Sequence, residues 1–506
     1  MKQHMAVWAI LALLVLALAG VAQAGQGRMG GMGDPYGLVS DESDFLIHPA
    51  RIAQGEGQTF YGNYRFTYTW VTDWNWDVNV TPLPFFFYYD TSGDEQTHDA
   101  GAGTAASLGP GRLGFFFSYE GLQGDYNGDI QSFFSPPIDE YALMSDTDAF
   151  VVRLLYGLPV GGVNLGAEVQ FSYHQEENES QLLRQSILPS WLINVDGSFS
   201  NIIGGDKNFL AFMMPYDSNY LEALFKGSLD AAIGPVEVAF TARGGFIFNG
   251  DNRFERVGLL NLYDLEGDVE GWRAGGDLWL RYALTNNLAI PFLVGIDYQK
   301  KTRDAGGLLV GLFTGVPVGY DSTEKSLELE VGGGIDTELG TGQRIAAGIY
   351  YNYRDAVDDF LMAIPGTPLV SDYNKYPALI EHGVRLALAG EWDVSPAVTL
   401  RMGLEQFYGW IKEDFESTNF GILFLNRWIE EVSLDGHRWG IGASMGGSVT
   451  FQNLTLEPFI GAGYQEIKLN GNGTELIFGT VMNVDELKRE WCIGGGLSVL
   501  FDLPQP

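Results

Sequence analysis

The sequence predicts an all-β fold: a closed antiparallel transmembrane β-barrel of about 16 strands, with short turns at one end and long loops at the other. Three observations point there. Apolar residues alternate with polar ones over strand-length stretches, the pattern returns in hairpin after hairpin, and no apolar run after residue 24 is long enough for a spanning helix. The composition agrees, with 67 glycines in 506 residues, 13% aromatic and only 18% charged residues. A mean hydropathy near zero is no obstacle, because half of each barrel strand faces water.

The clearest hairpin runs over residues 271–300. Leu278, Leu280, Tyr282 and Leu284 alternate with Asp277, Trp279, Arg281 and Ala283. After the turn Thr285-Asn286-Asn287, Leu288, Ile290, Phe292, Val294, Ile296 and Tyr298 alternate with Ala289, Leu293, Gly295, Asp297 and Gln299. Side chains on a strand point to opposite faces with period two, so the first set of each strand meets lipid and the second lines the lumen.

Taken in order, residues 1–24 read as a secretory signal peptide. Lys2 precedes the apolar run Ala6–Gly20, and Ala22-Gln23-Ala24 is a small-x-small cleavage site. Export and a barrel together imply the Gram-negative outer membrane. Residues 25–57 are glycine-rich and then read LVSDESDFLIHPARIAQGEG, without alternation. They form an N-terminal segment, periplasmic or tucked into the lumen as a plug. Residues 58–506 are the barrel. Its first strand spans Thr59–Val71, with Phe60, Tyr64, Phe66, Tyr68 and Trp70 on one face. Later hairpins turn at Gly109-Pro110-Gly111, Pro159 to Gly162, Ile233-Gly234-Pro235, Gly340-Thr341-Gly342, Asp393 to Pro396 and Gln452-Asn453. The last strand, Trp491–Phe501, ends in an aromatic residue and resembles the signal that hands such proteins to the barrel-insertion machinery.

One stretch of the N-terminal segment carries a family resemblance. His48-Pro49-Ala50-Arg51-Ile52-Ala53, preceded by Asp41, Glu42 and Asp44, is similar to the N-P-A-G-L-A-like segment of the outer-membrane long-chain fatty-acid transporter (FadL) family. His48 and Arg51 stand where that family has Asn and Gly. The resemblance implies an N-terminal plug that leads hydrophobic substrates through the barrel.

The inward faces are rich in charge: Arg65, Arg153, Arg243, Arg281, Arg385 and Arg401 interleave with Glu168, Asp277 and Glu405. Reflecting each hairpin about its turn sets Arg153 opposite Glu168 and Arg385 nearly opposite Glu405, where opposite charges attract. Unpaired members would set the field felt by a solute. The longest predicted loop, Gln175 to Asn219, opens with Glu176, Glu177 and Glu179 and contains Leu188–Ile193. In porins, which this layout resembles, the third loop folds inward, so these glutamates are candidate constriction residues. The predicted outer loops are acidic, with Asp73, Asp77, Asp90, Asp94 and Glu95 in the first, Asp129, Asp139, Glu140 and Asp146 in the second, and Glu413, Asp414, Glu416, Glu430, Glu431 and Asp435 in the seventh.

Other chemistries lack their residues. Asp125-Tyr126-Asn127-Gly128-Asp129 has calcium-loop spacing without the distal glutamate, so no metal or other cofactor is expected. No G-x-S-x-G setting or catalytic triad spacing points to an enzyme. The single cysteine, Cys492, excludes an intrachain disulfide. With 64 acidic residues and 28 basic ones beyond the signal, binding to nucleic acid is disfavoured. The expected function is a porin-like channel for passive diffusion of small solutes or ions, cation-preferring and seated in outer-membrane lipid. The alternatives are a FadL-like transporter of hydrophobic compounds and a surface or structural barrel with a closed lumen. Homo-oligomerisation stays open.

Overall fold

A computed structural model describes residues 32, 38–39, 44–55 and 57–503, except 82–84, 133–134, 186–207, 259–261, 311–314, 364–369, 421–426 and 476–479. The signal at 1–24 and the apolar stretch Leu188–Ile193 therefore lie outside the described residues. Sixteen strands follow one another: β1 Gln58–Thr81, β2 Phe85–Leu108, β3 Gly111–Ser132, β4 Ser135–Val160, β5 Val163–Gln185, β6 Asn208–Ile233, β7 Val236–Gly258 and β8 Leu262–Thr285. The second half comprises β9 Leu288–Val310, β10 Gly315–Gly340, β11 Gln343–Ala363, β12 Val370–Ser395, β13 Val398–Phe420, β14 Arg427–Phe451, β15 Leu454–Glu475 and β16 Thr480–Leu503. Every strand pairs antiparallel with its sequence neighbours, and β16 closes on β1, with Phe60 opposite Phe501. Closure leaves no sheet edge unpaired, which is the condition for a sheet to cross lipid.

The short turns stand where turn chemistry predicts them. Gly109, Gly161, Gly162, Gly234 and Gly342 take the positive φ that tight hairpins need, and Gln452 does so without being glycine. From these turns the outer wall rises as an apolar band, with Leu165, Phe225, Phe240, Ile290, Ile349, Leu404, Met445 and Leu497 exposed. An aromatic girdle closes the band about 10–15 residues along the strands, the level expected for an apolar belt of about 25 Å. Its rings touch in pairs: Trp272 and Tyr298 at 4.9 Å between centres, Tyr408 and Trp410 at 4.9 Å, and Tyr464 and Trp491 at 4.6 Å.

The strands do not stop at the girdle. They are 21 to 26 residues long, which at about 3.3 Å per residue and a tilt near 40° makes a wall about 60 Å tall. This corrects the sequence reading. The acids assigned to the first, second and seventh loops, and Glu176, Glu177 and Glu179, stand on strands. Beyond the girdle the outward face turns from apolar to charged, so the alternation that marked the strands fades. Backbone pairing needs no apolar face and continues, as in Asp94 opposite Asp125 and Glu416 opposite Glu431.

Candidate functional site

Inside the short-turn end lies the N-terminal segment. Pro49 suits the start of a tight helix because its φ is fixed and its missing N–H would be unpaired there anyway, and residues Pro49–Gln54 form a 3-10 helix. A shorter 3-10 turn, Asp44–Leu46, precedes it, and the carbonyl of Asp44 accepts from the His48 N–H at 2.7 Å.

Two glycine pairs make room for this segment. Gly157 of β4 faces Gly166 of β5, and Gly334 of β10 faces Gly348 of β11. A Cβ on Gly166 would lie 2.1 Å from the backbone nitrogen of Ala50, and one on Gly157 2.6 Å from Ile52. On the other pair a Cβ would come within 2.7 Å of Leu38. Each pair is a socket, and the two lie on opposite parts of the wall. Around the first, Phe45, Leu46 and Ile52 bury themselves against Tyr61, Ala105, Phe116 and Leu155. Around the second, Met32, Leu38 and Val39 pack on Leu293, Ala346, Tyr350, Ala387 and Ala389. The segment thus bridges the lumen.

Among the described residues, polar contacts fasten the first of these two ends. His48 Nδ1 is 2.8 Å from Thr241 Oγ1, and the Ala50 N–H donates to Ser228 Oγ at 2.6 Å. Arg51 pairs with Asp44 and, at 3.4 Å, with Asp230, while its guanidinium lies 4.2 Å above the Trp279 ring. Gln54 Nε2 donates to Asp230 at 2.5 Å, and Lys226 Nζ donates to the Leu46 carbonyl at 2.9 Å. Burial, with the cations Arg51, Lys226 and Arg243 nearby, pulls His48 down to about 3. At neutral pH it is an uncharged imidazole.

Farther from the short turns, a cavity of about 660 Å³ has Arg243, Asp277, Asp297, Glu330, Glu405 and Arg438 in its lining. Its charges are cross-linked. Arg243 pairs with Asp277 and, at 2.7 Å, with Asp297, which also takes Arg273 at 2.8 Å. Arg385 bridges Glu330 at 3.1 Å and Glu405 at 3.6 Å, and its guanidinium covers Tyr350. Closer to the short turns, Asp336 joins Arg281 at 3.1 Å to Arg344 at 2.6 Å, and Arg401 joins Glu391 at 2.8 Å to Glu457 at 2.9 Å.

Most of the predicted lumen residues therefore fall into ion pairs or networks, with several partners that sequence reasoning missed. Arg65 stands opposite Asp99. The pairing of Arg153 with Glu168 is corrected: the register sets Arg153 against Gln170, and Glu168 pairs with Lys226 of β6 at 3.0 Å. Reflection about the turn missed by one residue pair, because the turn centre sits between Gly161 and Gly162. Glu176 points inward to Lys301 and Arg303. Glu177 and Glu179 line a recess with Asp94, Asp125, Asp146, Asp217 and Arg253, on the outward face that alternation gives them, so they are not constriction residues. Asp336, Ser228 and Thr241 escaped notice. The available signal was two facing glycine pairs at inward positions close to short turns. Among the described residues no group of three or more His, Cys, Asp or Glu could hold a metal ion.

Scanned against protein-family models and curated proteins, the sequence matches none. Among solved structures it is similar to the Pseudomonas putida toluene transporter TodX, at 14% identity over 97% of this chain and 100% of that one, with a TM-score of 0.40. A Pseudomonas aeruginosa FadL homologue shows 12% identity over 96% and 99%, with a TM-score of 0.41. The Ralstonia pickettii toluene transporter TbuX shows 13% over 97% and 100%, with a TM-score of 0.36. The fold assignment rests on the strand register of this chain itself. By that register, its apolar band and its girdle, the chain is a sixteen-stranded transmembrane β-barrel of the outer-membrane kind.

Proposed function

We propose that this protein is an outer-membrane transporter for hydrophobic compounds, with its lumen stopped at the short-turn end by its own N-terminal segment. One observation carries the reading: residues 38–39 and 44–55 reach both walls, seated in glycine sockets and apolar pockets. A permanently open diffusion pore would have no use for that seat. When the segment shifts, it uncovers Tyr61, Phe116, Leu155, Leu293 and Tyr350, which an apolar solute can cover in its place. Most of the charges on the way are paired with one another, which keeps the net field along the path weak.

The experiment is removal of Gln26–Glu56 with the signal kept, followed by reconstitution. Uptake of toluene into vesicles should rise well above that of the intact protein, and conductance should rise with it. Toluene uptake unchanged by the deletion, in a barrel that still assembles, would defeat the reading.

A further inference from the structure

Beyond the cavity, β5 and β9 lie four strands apart, yet their inward side chains meet. Lys301 Nζ is 3.1 Å from Glu176 and 3.4 Å from Glu324, and Arg303 reaches the same two carboxylates at 3.2 Å each. Lys301 also sits 4.9 Å from the centre of the Tyr220 ring. In a round barrel of sixteen strands, wall positions four strands apart are about 20 Å from each other, given about 4.8 Å between strands and the usual tilt. A glutamate and a lysine side chain together do not span that gap. The wall over β5–β9 must fold inward at this level. Its inward residues agree, since Ser218, Leu265 and Val269 are all but inaccessible.

The other side of the wall has closed-over faces too. Ile411, Val432, Leu434, Leu469 and Val484 are inward residues of β13–β16, and all are buried, Leu434 at 0% exposure. In an open water-filled tube such faces would be wetted.

We propose that Glu176, Lys301, Arg303 and Glu324 form a second constriction, near the level of the aromatic girdle and in series with the N-terminal segment, that selects entering solutes by size and charge. This rests on the reading of the lumen as the solute path. Glu176 is the hub, because it holds two cations at once on a neighbouring sector of the wall. Neutralised, it releases that sector and leaves Lys301 and Arg303 held by Glu324 with one negative charge fewer beside the path.

The test uses the full chain and the variant lacking Gln26–Glu56, each with and without Glu176→Gln, in planar bilayers under a potassium chloride gradient. Two barriers in series predict a small rise in current from either change alone. Together they should give a several-fold rise, with the reversal potential moved toward anions. Glu176→Asp, which keeps the charge, should leave the potential near that of its parent. If the deletion conducts fully and Glu176→Gln adds neither current nor a shift in potential, the constriction is overturned and the N-terminal stop stands. If Glu176→Gln conducts fully alone and the deletion adds nothing, the stop is overturned and the constriction stands. A doubly changed chain that assembles but stays silent overturns the constriction.

Discussion

At the scale of single residues, His48 gives the sharpest expectation. Its docked form is neutral, held down to about 3, whereas a released imidazole titrates near 6.5. Docking is therefore fully stable above about 6.5 and weakens as pH falls toward 3, by about 2 kcal/mol at pH 5. Conductance of the intact chain should rise on acidification from pH 7 to 5, and His48→Gln should flatten that rise. Leu280 and Trp279 make a second contrast. Leu280→Arg places a charge in the apolar band and should cost about 2–4 kcal/mol of barrel stability if it lies at mid-membrane. Trp279 faces the lumen, as alternation requires, but it is 3% exposed beneath Arg51. Trp279→Arg should spare barrel assembly, scored by urea titration of the folded band, and unseat the N-terminal segment, scored by conductance. Equal loss of assembly in both variants would contradict the face assignment.

At the scale of elements, the socket pairs act as a unit with the segment they hold. Gly157→Val pushes a side chain into Ile52, and overpacking of this kind costs about 1–3 kcal/mol. The strands on either side keep their register, so the cost falls on docking. Protease cleavage near Gly55 should become faster in Gly157→Val while the barrel stays folded. How much of this was legible in the sequence follows from the same physics. Turns were readable because positive φ selects glycine locally, as at Gly161 and Gly234. Apolar alternation exposed the membrane-spanning halves of the strands. It failed for the upper halves, where residues such as Asp94 and Glu177 face water on the outer wall and leave only a backbone ladder, which has no sequence period. The ion pairs were partly legible within a hairpin, as for Arg385 and Glu405. Links that skip strands, such as Glu176 to Lys301, depend on the curvature of the closed wall, which no local pattern records.

At the scale of the whole molecule, closure predicts heat-modifiable migration on gels, with unboiled protein running as a compact band. A single band unaffected by boiling would count against it. The net charge of −35 sets a second expectation: an opened barrel should prefer cations in dilute salt and lose that preference as screening shortens the field to about 3 Å at 1 M. The reversal potential at two salt concentrations checks it. The outward placement of Glu177, Glu179 and their neighbours puts part of that charge on the far side of the wall from the solute. The preference should therefore be weaker than the composition alone suggests.

The socket glycines also impose an order on biogenesis. Gly157 meets Gly166 only when β4 has paired with β5, and Gly334 meets Gly348 only when β10 has paired with β11. The segment that occupies both is synthesised first, yet its berth is complete only after most of the chain has been threaded and zipped. Residues 32–55 must wait, unhoused, through insertion, and their engagement then certifies a finished wall. In a pulse-chase experiment, protection of that segment from added protease should appear together with the heat-modifiable band, never before it.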